Sequence, residues 1–308
     1  MPNAKLYAHL QIHNDILSIA ADALGISPEG ISDVVMLKKG MTNKSFKFTA
    51  DGNEYIMRIP GEGTDKLINR KNEASVYKAI AGLNLCDDPV YLDALNGFKI
   101  TKYLHSVRSC DAKSHMDLVL CMKKLRDFHQ LHIIVPHEFD ITSQINFYEK
   151  LWNGAPSSFS DYTETKDHSL SLTTFIDAQN KDYCLTHIDA VSDNFLFYKD
   201  FDEKEKLQLT DWEYSGMQDP HVDIAMFCIY SLYTKKEIDN LIDIYFENNC
   251  PLQTRIKIYC YISQCGLLWS NWCEYKERLG VEFGEYSKWQ YRYAKEYYAI
   301  AQKMLEEL

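Results

Sequence analysis

The chain has 308 residues, 46% of them hydrophobic and 25% charged, enough to bury a full core in one or two domains. Its 33 basic and 44 acidic residues give a formal net charge of −11, which argues against nucleic acid or an anionic membrane as the main partner, because both call for basic patches. Nine cysteines, odd in number and with no Cys-x-x-Cys pair, argue against a disulfide framework or a zinc site and for a reducing compartment. With no signal-type apolar run and no span-length apolar stretch, the chain is expected to be soluble and cytoplasmic.

Residues 4–24 carry Leu6, Leu10, Ile16, Ile19 and Ala20 at helical spacing, and Gly25 ends the pattern. From Val34 the period changes to that of strands. Val34–Leu37 is one strand, Phe46 and Phe48 alternate with polar residues in a second, and Tyr55–Pro60 is a third. Asp51-Gly52 between the last two predicts a hairpin. Asn69–Ala81 reads as a helix, Pro89–Leu92 and Phe98–Tyr103 as two more strands. From Ser114, a helix cap, the chain turns mainly helical. Further helices are predicted at 140–152, 169–179, from Asp223, and at 235–247, 252–278 and 285–306. The polar residues 154–168 read as a flexible connection.

The chemistry concentrates in residues 183–226. Asp189 sits in a loop after an apolar lead-in, Tyr183–Leu185. Asn194 stands five residues on, just before the strand Phe195–Phe197, and Asp211 follows another strand, Leu207–Leu209. A strand–turn–strand between them would gather Asn194 and Asp211. A carboxylate and an amide oxygen, with phosphate oxygens and water, are the hard ligands Mg²⁺ takes. Asp189 would be free to accept a proton from a hydroxyl, the layout of a phosphoryl transferase.

The wording Thr-His-Ile-Asp-x₄-Asn-Phe-Leu-Phe, followed by Asp-Trp-Glu-Tyr-Ser-Gly, resembles the choline/ethanolamine kinases, and among them the bacterial choline kinases. The likeness extends over roughly residues 30–300. It implies an α+β fold of the protein-kinase-like type, with a nucleotide-binding small lobe at 1–103 and a larger, mainly helical lobe at 104–308. It implies ATP and Mg²⁺ as cofactors and choline, or a similar small cationic alcohol, as substrate. Asp189 would be the base, with His187 shaping its loop and Asn194 and Asp211 holding the metal. Gly40, Thr42 and Asn43 would cover the phosphates. Arg58 takes the place of the strand lysine of protein kinases, and Glu73 is the helix glutamate that pairs with it. Tyr103 lies in the hinge, Thr101–His105, whose backbone would read adenine. His129 is a structural helix histidine in this family.

The last fifty residues are dense in aromatic side chains. A quaternary ammonium has no N–H to donate, so ring faces and carboxylates recognise it. Tyr214, Trp269, Tyr286 and Trp289 are the candidate choline walls. The eukaryotic enzymes have a further glutamate where this chain has Ile229 or Tyr230, so Glu213, Glu282 and Glu285 are open alternatives for a second carboxylate. A kinase for ethanolamine, another amino alcohol or an aminoglycoside is the alternative substrate reading, and a catalytically silent kinase-fold binding protein is the alternative class. The sequence leaves the oligomeric state open.

Overall fold

The fold is seen in a computed structural model that describes residues 16–37, 43–61, 63–86, 88–199 and 204–308. The chain divides into two compact units, Met1–Arg108 with Phe197–Glu213, and Ser109–Leu196 with Tyr214–Leu308. The expected division at 103/104 therefore places residues 197–213 differently. A backbone hydrogen bond from Leu209 N to Leu85 O (2.9 Å) is one of the ties that hold this segment in the first unit.

In the first unit, β1 (Ile31–Met36), β2 (Asn43–Ala50), β3 (Asn53–Pro60), β4 (Tyr91–Leu92) and β5 (Lys99–Lys102) form an antiparallel sheet in the order β1-β2-β3-β5-β4. Asp51 and Gly52 both take positive φ, 47° and 74°, the turn geometry that matches strand twist. They set the register Ala50↔Asn53 through Asn43↔Pro60. Phe46, Met57 and Ile100 thus lie side by side on three strands, and their row packs with Ile16, Ala20 and Ala21 of α1 (residues 16–24). Strand alternation sends the next residue, Arg58, to the opposite face. There it meets Glu73 of α2 (Arg70–Ile80), a helix capped by Asn69, whose side chain accepts from Lys71 N and Asn72 N. The first strand begins earlier than the sequence suggested, at Ile31, and one short strand was not expected, β6 (Arg108–Ser109). β6 joins β8 (Phe195–Lys199) and β9 (Glu205–Leu209) in a three-stranded sheet ordered β6-β8-β9.

The second unit is helical: α3 (His115–His129), α4 (Ile141–Leu151), α5 (Tyr162–Ser171), α6 (Thr173–Ala178), α7 (His221–Tyr230), α8 (Lys235–Tyr245), α9 (Leu252–Arg278) and α10 (Glu285–Glu306). Every residue of α9 from Ile256 to Lys276 is buried, which makes it the axis of the unit. A Cβ on Gly266 would fall 2.7 Å from Gln290 O and 2.8 Å from Tyr293 Cβ, so only glycine allows α9 to lie this close to α10. The segment 154–168 is not simply a connection. Its second half starts α5, which is held by tertiary bonds such as Lys166 Nζ to Asn146 Oδ1 (2.9 Å) and Tyr291 OH to Thr165 Oγ1 (2.8 Å). Such bonds fix a polar helix that periodicity does not reveal. β7 (Cys184–Thr186) pairs antiparallel with β10 (Gly216–Gln218), a strand of three residues, too short to stand out in the sequence.

All nine cysteines are free thiols. Among the described residues no helix is long and apolar enough to cross a membrane.

Candidate active site

β7 delivers His187, Ile188 and Asp189 to a loop pinned from below. Asp223, fully buried in the first turn of α7, accepts from His187 N (2.9 Å) and Ile188 N (2.7 Å). His129 Nε2 lies 3.0 Å from the same carboxylate, and its Nδ1 is 2.8 Å from Tyr245 OH. His129 is therefore a buried support of the loop. His187 is also fully buried, and its carbonyl accepts from Ser215 Oγ at 3.0 Å. Ile188 has φ +68°, a conformation β-branched residues avoid. Such strain persists only where the surroundings impose it, and it concentrates at functional sites. Asp189 follows, half-buried. Asn194 Nδ2 donates to its carbonyl (2.8 Å) and its carboxylate (3.1 Å), closing the turn that a 3₁₀ segment, Ser192–Asn194, completes. Both bonds use the amide nitrogen of Asn194, whose side-chain oxygen is an acceptor.

In the first unit, the sequence-predicted Arg58 and Glu73 are brought together at 2.6 Å, both buried. Arg58 Nη1 also lies 3.5 Å from Asp211 Oδ1 and 3.5 Å from Glu213 Oε2, and Nη2 donates to Gly97 O at 3.2 Å. Burial opposes the charge on Arg58, but Glu73 and then Glu213 hold its pKa above the usual guanidinium value. Burial likewise opposes the charge of Glu73, yet Arg58 keeps it below the usual carboxylate range. Glu213 is pushed up, first by burial and then by the charge of Asp211. Asp211, one of the predicted site residues, takes φ +66°, a left-handed conformation like that of Ile188. Asn43 Nδ2 donates to Glu213 Oε2 at 3.0 Å. Gly40 and Thr42 lie outside the described residues. Tyr103 N donates to Glu54 O (2.9 Å), so its amide is already engaged, and its ring carries Lys47 Nζ at 4.2 Å.

The aromatic candidates separate. Tyr214 meets Trp269 edge-on with ring centroids 5.5 Å apart, Trp269 meets Trp272 (5.5 Å), and Trp272 Nε1 donates to Tyr214 OH at 3.2 Å. The set continues through Phe283 (5.4 Å) to Tyr286 (6.4 Å) and Tyr230 (6.3 Å). Tyr214, Trp269 and Trp272 are nearly buried, whereas Tyr230, Phe283 and Tyr286 are half-exposed. Burial raises the pKa of Tyr286, with Asp189 among the charges that add to the effect. Burial also raises that of Tyr230, followed by its bond to Asp193 and the charges of Asp193 and Asp189. Trp289 does not join this set. It is 38% exposed on α10, with the Arg292 guanidinium 4.7 Å from its ring centre. Of the open carboxylates, Glu213 is 6% exposed and engaged by Arg70, while Glu282 and Glu285 are exposed.

The sequence reading passed over Arg70, Trp272, Phe283, Tyr230 and Asp193. Arg70 had a signal, since it stands three residues before Glu73 on the same helix face. Trp272 and Phe283 lie in the aromatic-dense C-terminal stretch, and Glu282-Phe283-Gly284 is part of the resemblance to choline kinases, but helical spacing alone did not rank these rings above the four candidates. Asp193 accepts from Tyr230 OH at 2.8 Å, a contact that no spacing rule reveals.

The fold is that of the protein-kinase-like phosphotransferases. The family model for choline/ethanolamine kinase matches residues 34–265. The chain is 30% identical over 286 residues to protein LicA of Haemophilus influenzae, covering 87% of this chain and 79% of that protein. It is similar to the crystal structure of choline kinase LicA from Streptococcus pneumoniae, at 27% identity and TM-score 0.78, covering 96% of this chain and 99% of that one. A structure of LicA in complex with AMP matches at 27% identity and TM-score 0.77, over 93% and 98% of the two chains. The chain belongs to the choline/ethanolamine kinase family and is a phosphotransferase enzyme.

Proposed function

We propose that the protein transfers the γ-phosphoryl group of ATP to the hydroxyl of choline, with Mg²⁺ as cofactor. The observation that carries this reading is that Asp189 and the ring set occupy one unit, where Tyr230 OH donates to Asp193 Oδ2 (2.8 Å) in the turn that follows Asp189. A cation seated against those rings would bring its alcohol end to the carboxylate. The family match and the AMP-bound relative support nucleotide binding.

Asp189 accepts the hydroxyl proton as the alcohol oxygen bonds to the γ-phosphorus and the bond from that phosphorus to the bridging oxygen breaks, with ADP as leaving group. The transition state of phosphoryl transfer is loose, so holding the alcohol in line matters more than removing its proton early. His187 shapes the loop, and Asn194 fixes the side chain of Asp189. Arg58 meets the phosphate oxygens, held at its other side by Glu73. Asn43 continues the phosphate cover assigned to Gly40 and Thr42, and Tyr103 flanks the adenine.

Asp211 and Asn194 fit Mg²⁺ by chemistry, one offering a carboxylate oxygen and the other an amide oxygen. Among the described residues no group of three or more His, Cys, Asp or Glu could hold a metal. Mg²⁺ is usually bound through one or two carboxylates plus substrate phosphates and water. Bound Mg²⁺ supplies charge neutralisation at the phosphates. Asp211→Asn is expected to abolish Mg²⁺-dependent turnover while the protein stays folded. Turnover near that of the parent at saturating Mg²⁺ would remove Asp211 from the site.

Choline over ethanolamine follows from desolvation. An ethanolamine ammonium brings three N–H donors that ring faces satisfy poorly. A trimethylammonium sheds water cheaply and gains about 0.5–2 kcal/mol per ring face. kcat/KM is therefore expected to be higher for choline. Trp269→Leu, which fills much of the same space without a π face, should narrow the preference by raising KM for choline more than for ethanolamine. Equal efficiency on the two alcohols in the parent, or an unchanged ratio in Trp269→Leu, would show these rings to be ordinary core.

A further inference from the structure

Arg70 occupies the centre of the buried charge cluster, and nothing in the proposed chemistry uses it. It is 8% exposed. Its Nη1 lies 2.9 Å from Glu73 Oε2 and 3.1 Å from Glu213 Oε2. The two oxygens of Glu73 are thus divided, one to Arg70 and the other to Arg58. Glu213 Oε2 takes Arg70 and Asn43 together, with Arg58 a further 3.5 Å contact. The β4–β5 turn is shaped around this guanidinium. Gly97 has φ +74°, its carbonyl accepts from Arg58, and a Cβ there would lie 2.5 Å from Arg70 Nε.

Three carboxylates, Glu73, Asp211 and Glu213, face two guanidinium groups, Arg58 and Arg70. A buried carboxylate left without a cation of its own would draw on the nearest one. For Glu213 that cation is Arg58, the group assigned to the phosphates.

We propose that Arg70 is a positioning residue for nucleotide binding: by neutralising Glu213 and dividing Glu73, it keeps Arg58 available to the nucleotide instead of locked against Glu213. The inference rests on the reading that Arg58 meets the phosphates. Both of Arg70's carboxylate contacts run through one nitrogen, so a lysine ammonium could take the same place, whereas a neutral glutamine could not.

The test is ADP affinity by titration calorimetry on the full chain in EDTA, which removes any metal contribution, with folding checked by circular dichroism. Arg58→Gln and Arg70→Gln are each expected to weaken ADP about tenfold or more, the weight of one charge-assisted hydrogen bond. Arg70→Lys should stay within about threefold of the parent, well under that tenfold step. The pair Arg70→Gln with Glu213→Gln should recover most of the loss, because the competing carboxylate goes with its neutraliser. A merely structural arginine would give no such recovery. Unchanged affinity in Arg70→Gln, or a double variant as weak as the single, overturns the role of Arg70. Unchanged affinity in Arg58→Gln overturns the underlying assignment of Arg58 instead. If Arg70→Gln alone does not fold, the pair Arg70→Gln with Glu213→Gln decides: ADP affinity within about threefold of the parent supports the competition, and a loss of about tenfold or more overturns it.

Discussion

Asp189→Asn is expected to lower kcat by about 10²–10⁴-fold, the usual weight of a general base, with nucleotide affinity little changed. Asparagine keeps the size of the side chain. The loop also keeps its main tie, because Asn194 Nδ2 bonds the backbone carbonyl of residue 189 at 2.8 Å as well as the carboxylate. What is lost is the ability to take the proton of the alcohol, so the effect should fall on kcat for choline and ethanolamine alike. Steady-state kinetics on both alcohols, with ADP affinity measured alongside, separates this from a folding defect. A kcat within about threefold of the parent, far short of the general-base range, would refute the base assignment.

Asp223→Ala should damage both stability and turnover, although Asp223 touches no substrate in the proposed mechanism. Its carboxylate is the acceptor for two buried backbone N–H groups, those of His187 and Ile188, and for His129. Each buried N–H left unsatisfied costs about 1–3 kcal/mol, so the two together cost about 2–6 kcal/mol. The bond to Ile188 N also helps hold Ile188 at φ +68°. Released from it, the loop can relax to an ordinary conformation and carry Asp189 away. A displacement of about 1 Å at a reacting group can cost about 10²-fold in rate. Asp223→Asn should fall in between, since one amide oxygen can still accept while the amide nitrogen faces a donor. Denaturant midpoints and kcat, measured where each variant is folded, give the test. If Asp223→Ala were as stable as the parent and turned over normally, the loop would have to be held by something else.

The layout of the second strand-rich stretch was legible in the sequence because it is local. Asp189, Asn194 and Asp211 sit at fixed distances from apolar strands. Asp51-Gly52 dictates its hairpin through backbone conformation alone, and Asn69 caps its helix with its own side chain. Strand alternation, once Met57 faces the core, necessarily sends Arg58 the other way. Only tertiary structure decided the rest. Asn43 and Glu213 stand 170 residues apart in sequence, yet one hydrogen bond joins them. No local rule foresees it, because it depends on how β2, α2 and the segment after β9 pack. The rings show the same limit. Burial all round α9 erases the periodicity that would distinguish Trp269 and Trp272 from other core residues, and the outward face of Trp289 depends on what α10 packs against. Ile188 and Asp211 carry positive φ without being glycine, so their backbones are set by the bonds around them and not by their own preferences.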